Sequence, residues 1–388
     1  MRHKAIGVKR READFKVNRE GALVAMFLKR KQSNAISLIA LLTGTLIAGC
    51  GQTVNSPKPS DSTEKTSSEQ IYLYQGSDRD QKLVENAKKE GTVTLYTSMN
   101  LDDSQPLTDA FEKKYGIKIV LWRAGSEKVV QRAITEAKAK RFDVDVIETN
   151  GPEMEMLARE QLAHEFYSPY FSDLPPEAIP AHKKWVADRF NFFVMAYNTN
   201  KVSPAEAPKT YQDFLDPKWK GKIALESSDT EWFATLAKIW GEEKGLQYFK
   251  ALADMNPIIR EGHTLMGELV ASGEIPITLT VYNHYAEQLK KKGAPIEWVP
   301  LEPTIGRPNG ISVMKNAPHP HAALLFADFV LSPEGQEIIN NRGRVPSSTK
   351  VKTNLNNFKY KMADPVVVLD EWDKWNKMWE DLFLKSKK

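Results

Sequence analysis

Three short polar segments carry side chains that could bind an anion. They are Thr97-Ser98, Gly125-Ser126 and Thr149-Asn150-Gly151, and each follows an apolar run and precedes a helical pattern. Hydroxyls, amides and the free backbone N–H groups at a helix start suit an anion or a polar headgroup. Helix capping explains Ser126 by itself equally well. The prediction of a binding rim therefore depends on the three segments together.

The elements that must position these segments alternate between strand and helix. Apolar runs predict three strands, at 92–96, 117–122 and 144–147. Helical spacing predicts two helices, at 106–115 and 126–140. This alternation predicts a parallel, doubly wound sheet, in which ligands bind beyond the carboxyl ends of the strands. The candidate ligand-binding residues of this first series are Thr97, Ser98, Ser126, Thr149 and Asn150.

A second α/β series begins near Phe192, and the chain returns to the first series near residue 314. Two lobes joined by crossing segments form a hinged clamp. We predict that lobe one comprises residues 72–190 and 315–365, and that lobe two comprises 191–314 and 366–388. Tryptophans at helical spacing near the carboxyl terminus could form a sugar platform, but the spacing is more typical of a buried helix face.

The first fifty residues predict export and a lipid anchor. A basic segment, 26–31, precedes an uncharged apolar run, 35–47, that is too short to span a bilayer. The run ends in Ile47-Ala48-Gly49-Cys50, which resembles a lipobox. We therefore expect residues 1–49 to be a cleaved signal peptide, with the true start at Met26 as an alternative to an extended basic region. Cys50 would carry lipid, and residues 50–71 would form a flexible tether to the outer face of a membrane.

Composition excludes several partners and chemistries. Cys50 is the only cysteine, so the chain has no internal disulfide. Removing residues 1–49 takes away ten of the 54 basic and three of the 50 acidic residues, which leaves a net charge of −3. That balance does not favour nucleic acid as a partner. The sequence contains no GxSxG, P-loop, GxGxxG or HExxH motif, so we predict a protein that is not an enzyme and needs no cofactor.

Several segments together resemble the ferric-iron-type family of periplasmic binding proteins. They are Ala207–Ile223, Ala271–Pro276, Gly293–Trp298, Asn316–Ala323 and Leu331–Gln336. The resemblance covers nearly everything from about residue 71 to 346. It implies a two-lobed type II periplasmic-binding-protein fold, an α/β fold in which each lobe is a doubly wound sheet. It also implies a monomer that hands a small ligand to the permease of an ABC importer.

The family resemblance also implies metal ligands in lobe two. Iron-binding members place a tyrosine on the strand entering that lobe, which Tyr197 matches, and an adjacent tyrosine pair further on. His284-Tyr285 stands where the pair is expected, so one tyrosine is replaced. Ferric iron prefers phenolate oxygen, so this replacement weakens the implied site. Tyr282 and Tyr285 share a helix face and could simply pack against the lobe.

The resulting functional hypothesis is capture of a small solute between the lobes. Ferric iron or a ferric chelate is the favoured ligand, held by Tyr197, His284 and Tyr285. An organic anion such as a phosphonate, sugar phosphate or thiamine-like compound is the alternative ligand. A lipid-anchored extracellular enzyme is the alternative from another class.

Overall fold

The computed structural model describes residues 68–385. In this part of the chain, hydrogen bonds join eleven strands into one sheet. The eleven strands are β1 (Thr92–Thr97), β2 (Lys118–Arg123), β3 (Val146–Asn150), β4 (Val186–Asn198), β5 (Ile223–Glu226), β6 (Ile258–Arg260), β7 (Ile277–Tyr282), β8 (Ile296–Val299), β9 (Thr304–Val313), β10 (Val345–Pro346) and β11 (Tyr360–Met362).

Helices alternate with these strands along the chain. They are α1 (Ser68–Tyr72), α2 (Arg79–Glu90), α3 (Leu101–Tyr115), α4 (Ser126–Lys138), α5 (Gly151–Arg159), α6 (Thr230–Trp240), α7 (Glu242–Asp254), α8 (His263–Ser272), α9 (Asn283–Lys291), α10 (Pro320–Leu331), α11 (Pro333–Asn341), α12 (Pro365–Asp370) and α13 (Trp372–Trp379), the last continued by a π-helix at Glu380–Leu384. Within residues 68–385, none of the helices combines the length and apolar character that crossing a membrane requires.

The strand order is β2-β1-β3-β9-β4-β7-β5-β6, and it contains two parallel groups. β2, β1 and β3 run parallel in the first half, and β7, β5 and β6 run parallel in the second. β8 and β10 pair with β4, and β11 pairs with β9. Two parallel groups with intervening helices confirm the predicted two-lobed α/β fold.

β4 and β9 connect the two groups. All thirteen residues of β4 are buried, because β4 pairs with β9 along its first half and with β7 and β8 along its second. β9 in turn pairs with β3 at its end. The sheets predicted for the two lobes are thus joined into one continuous path. The predicted lobe boundaries stay a prediction.

Two local features differ from the sequence-based expectation. Ser126 was expected to be the N-cap of its helix, but Gly125 occupies the N-cap position and Ser126 is the first helical residue. β3 was expected at 144–147, but it extends to Asn150 because its last residues pair with β9, Asn150 opposite Asn309. Thr149 and Asn150 therefore lie at the end of a strand rather than in a loop.

The carboxyl-terminal helix packs on the second half of the fold. Trp375 and Trp379 are 1% and 0% exposed, and their rings lie 5.5 and 5.7 Å from the ring of Phe233 on α6. Trp372 is only partly buried. This packing confirms that the tryptophan spacing marks a buried helix face rather than a sugar platform.

Candidate functional site

The three polar segments predicted from the sequence meet at the carboxyl ends of β1, β2 and β3. Thr149 Oγ1 donates a hydrogen bond to Ser98 Oγ at 3.1 Å. Asn150 Nδ2 donates to Ser126 Oγ at 2.8 Å. Asn150 also precedes α5, whose first backbone N–H groups face the same edge. The structure therefore brings Ser98, Ser126, Thr149 and Asn150 together, as an anion-binding rim requires.

Two asparagines on the crossing strands extend this rim. Asn309 on β9 donates from Nδ2 to Asn150 Oδ1 at 2.8 Å. Asn191 on β4 donates from Nδ2 to Asn309 Oδ1 at 2.9 Å. Both residues are buried. β4 and β9 connect the two lobes. The three hydrogen-bonded asparagine side chains therefore link the position of Asn150 to these two strands.

Thr97 is placed differently from its neighbour Ser98. It is 1% exposed, its Oγ1 donates to Glu148 Oε2, and it accepts a hydrogen bond from Met99 N at 2.9 Å. Glu148 also pairs with the buried Arg189. The Thr97 hydroxyl therefore supports the base of the rim, with its hydrogen-bonding capacity largely used inside the protein.

Tyr197 lies away from the other tyrosines implied by the family resemblance. It pairs with Ile277 at the start of β7, whereas Phe193 pairs with Tyr282 at the end of that strand. Four residues of strand correspond to about 13 Å. Tyr197 is 4% exposed and packs in the second-lobe core. The structure thus does not bring Tyr197 together with His284 and Tyr285.

His284 is buried beside a guanidinium group. It is 3% exposed, and its Nε2 contacts Arg344 Nη1, while Arg344 also pairs with Asp103 on α3. Burial, together with the positive charge of Arg344, lowers the pKa of His284 well below its usual value. The imidazole is therefore neutral at pH 7, and its Nε2 accepts from Arg344 rather than facing an open cleft.

Tyr285 faces α8 and the surface. Its hydroxyl donates to Glu268 Oε1 at 3.0 Å. A Cβ atom built on Gly267 would lie 2.7 Å from the Tyr285 ring, so the ring packs directly against the α8 backbone. Burial and Glu268 raise the pKa of Tyr285 to about 12. This environment favours the neutral phenol, which is a weaker metal ligand than phenolate.

Arg307 organises the part of the site that sequence reasoning missed. It lies on β9, pairs through Nε with Glu231 Oε2, and donates from Nη1 to the Tyr282 hydroxyl at 2.5 Å. Its guanidinium carbon lies 5.1 Å from the centre of the Phe193 ring. Burial opposes the charge on Arg307, but Glu231 and Tyr282 hold its pKa above the usual value. Arg307 is the one charged residue of β9, and this was the available signal.

An acidic cluster with one histidine lies beside Tyr282. Glu226 is the last residue of β5, Asp229 precedes α6, and His263 begins α8. One donor atom from each of the three lies within 4.8 Å of the others. The His263 ring lies 3.9 Å from the Tyr282 ring. All of these residues occupy the carboxyl ends of β5, β6 and β7, which is the binding edge of the second parallel group.

Glu153 on α5 lies near charged residues of the second half of the fold. It lies in the first turn of α5, and burial raises its pKa to about 7, opposed by Arg307 and supported by Glu231. The Glu153 carboxylate is thus close enough to interact electrostatically with Arg307 on β9 and Glu231 on α6. The rim and the Arg307 network also adjoin along β9, because Asn309, which donates to Asn150, lies two residues after Arg307.

Two α/β halves that each gather polar side chains at the carboxyl ends of parallel strands are typical of a two-lobed solute-binding protein. Residues 107–364 match the model of a family described as bacterial extracellular solute-binding protein. The chain belongs to this family.

Relatives and solved structures agree with this assignment. The chain is 24% identical over 271 residues to the Fe(3+)-binding periplasmic protein of Serratia marcescens, covering 65% of this chain and 77% of that protein. Iron-bound HitA from Pseudomonas aeruginosa matches with TM-score 0.66 and 22% identity over 75% of this chain and 99% of HitA. AfuA from Actinobacillus pleuropneumoniae, solved with fructose-6-phosphate, matches with TM-score 0.67 and 26% identity over 76% and 99%. These similarities confirm the predicted resemblance.

Proposed function

We propose that the chain captures a small anionic solute in the cleft and delivers it to the permease of an ABC-type importer. The observation that carries the proposal is the convergence of Ser98, Ser126, Thr149 and Asn150 at the N-terminus of α5. Hydroxyl, amide and free backbone donors at one point stabilise a negative group. AfuA, whose structure contains fructose-6-phosphate, supports an organic phosphate as one such solute.

Ferric iron is the second candidate, and the named function of the Serratia relative favours it. The phenolate set implied by the family resemblance would need Tyr197, His284 and Tyr285 in one place. Their partners in this structure are the second-lobe core, Arg344 and Glu268, respectively. A ferric chelate with negative charge is compatible with the lobe-one rim, because the chelator would supply the ligands to iron.

Native mass spectrometry of protein purified without chelators tests the solute. We expect a bound organic mass that is returned chemically unchanged, and no visible absorption after addition of ferric citrate. Asn150→Asp should weaken binding of that solute at least tenfold, because it places a carboxylate in the rim, whereas Asn86→Asp, on α2, should not. A visible charge-transfer band that falls in Tyr285→Phe would contradict the organic anion and support iron held by phenolate.

The absence of catalysis is part of the same proposal. The relatives are binding proteins, and the rim offers donors without a paired nucleophile and base. Release of an altered solute, with the change abolished by Asn150→Asp, would support the alternative of an extracellular enzyme instead.

A lipid anchor on Cys50 is proposed from the sequence, since Cys50, the leader and most of the tether lie outside the described residues. We expect a labelled fatty acid to be incorporated into the wild-type chain and not into Cys50→Ser, which should appear in the soluble fraction as a monomer. Equal labelling of the two chains would contradict the anchor. Cys50 is the only cysteine, so no second thiol complicates the comparison.

A further inference from the structure

The Glu226, Asp229 and His263 cluster carries more negative charge than its neighbours balance. Glu231 is already paired with Arg307. The remaining carboxylates, Glu226 and Asp229, are 2% and 0% exposed and share one imidazole. With both carboxylates ionised, even a protonated His263 leaves one buried negative charge, which is costly to keep without a counter-ion.

The Asp229 carboxylate has two side chains near it that can donate a hydrogen bond, His263 and Thr280, and neither is well aligned. Within residues 68–385, neither of its carboxylate oxygens has a well-aligned partner, although Oδ1 lies 3.1 Å from His263 Nε2. Buried carboxylates are normally hydrogen-bonded, paired or bound to a metal. A fully buried carboxylate aimed at an imidazole without hydrogen-bond geometry is therefore an independent sign of a missing cation.

The separations fit a metal ion. His263 Nε2 lies 3.1 Å from Asp229 Oδ1 and 4.0 Å from Glu226 Oε2. A tetrahedral ion with bonds of 2.0–2.2 Å keeps its ligands about 3.3–3.6 Å apart, and the observed distances bracket that value. The ligand set of one imidazole and two carboxylates suits divalent first-row transition ions.

Hydrogen bonds behind the cluster hold Glu226 in position. Its Oε2 accepts from Ser228 N at 2.7 Å and from Ser228 Oγ at 2.6 Å, and its Oε1 accepts from Gly262 N at 2.8 Å. Ligating carboxylates are typically oriented in this way. His263 is 12% exposed, so solvent reaches the edge of the cluster and can supply a fourth ligand.

We propose that Glu226, Asp229 and His263 form a binding site for a divalent transition-metal ion in the lobe-two wall of the cleft. The site is distinct from the tyrosine ligands that the family resemblance implies. Its fourth position is available to water or to a donor atom of the solute. It does not depend on which solute the lobe-one rim binds.

Calorimetric titration of the tag-free, chelator-stripped chain with Zn²⁺ tests this site. A Cys50→Ser background removes the only thiol. We expect one Zn²⁺ per chain, with affinity at least tenfold lower in both Asp229→Asn and His263→Gln. His182→Gln, which removes another histidine near a carboxylate, and exposed Glu243→Gln should leave the affinity unchanged.

Zn²⁺ binding that both cluster variants retain, or no measurable binding to the wild type, would overturn the proposal. If a variant fails to fold, anomalous scattering from wild-type crystals grown with Zn²⁺ decides. A peak between Glu226, Asp229 and His263 supports the site, and occupancy elsewhere contradicts it. Loss of organic-anion binding in the earlier mass measurement would leave this result untouched, so the two proposals fail separately.

Discussion

Replacing Arg189 with methionine is expected to lower the free energy of unfolding by about 3–5 kcal/mol, the usual cost of leaving buried charges without their partner. Arg189 Nη1 lies 2.5 Å from Glu148 Oε1 and 3.1 Å from Asp188 Oδ2, and all three side chains are at most 4% exposed. Methionine keeps apolar volume but leaves two carboxylates unpaired. Urea unfolding at pH 7.5 measures the loss.

The loss should shrink as the pH falls. Burial raises the pKa of Asp188, Arg189 opposes that rise, and Glu148 adds to it. Without Arg189 the pKa rises further, so the folded chain binds a proton more readily than the unfolded chain does. Stability of the variant therefore increases relative to wild type as pH falls from alkaline values toward about 7, the pKa of Asp188 with Arg189 present.

Two comparisons control this prediction. Lys114→Met breaks an exposed pair with Glu334, whose side chains are 44% and 48% exposed, and should cost no more than about 1 kcal/mol. Adding Glu148→Gln to Arg189→Met should recover part of the stability by removing one unpaired charge. A similar cost for Lys114→Met and Arg189→Met, or no recovery, would show that Arg189 acts through packing alone.

Trp379→Ala is expected to cost about 3–5 kcal/mol, as large-to-small changes of buried aromatic residues do. Trp379 is 0% exposed, its ring lies 4.6 Å from that of Phe383, and its Nε1 donates to Ser227 O at 2.7 Å. The substitution removes ring contacts and leaves that carbonyl without its donor. Thermal and urea unfolding measure the effect.

Trp372→Ala is the matched control on the same helix. Trp372 is only partly buried, so its truncation should cost less than half as much. Equal losses at the two positions would mean that the whole helix, rather than one buried face, determines the stability.

Local patterns predicted the elements well because strand and helix periodicity depends on neighbouring residues. The strands at 92–96 and 117–122 and the helix at 126–140 closely match β1, β2 and α4. The end of β3 was misplaced because its last residue is held by Asn309, far away in the sequence. Pairing at that distance leaves no periodic signal.

The residues of the candidate site were likewise predictable only where local sequence determines their position. Ser98, Ser126 and Asn150 were recognisable because each follows a strand, and parallel strands bring their ends to one edge. Tyr197 was suggested by family resemblance, but its place on β4 is set by pairing with β7. The cluster of Glu226 and His263 was missed because its members come from separate loops and have no motif spacing.

β4 and β9 have a consequence for how ligand preference can change among related proteins. Each strand contributes to both halves of the sheet, and β4 is buried throughout. Exchanging one half for that of a relative would require junctions inside buried strands, where mismatched pairing disrupts the core. Recombination of whole modules is therefore a poor route to a new cargo. Diversification is expected to proceed by point substitutions at strand ends, where side chains change without altering the scaffold.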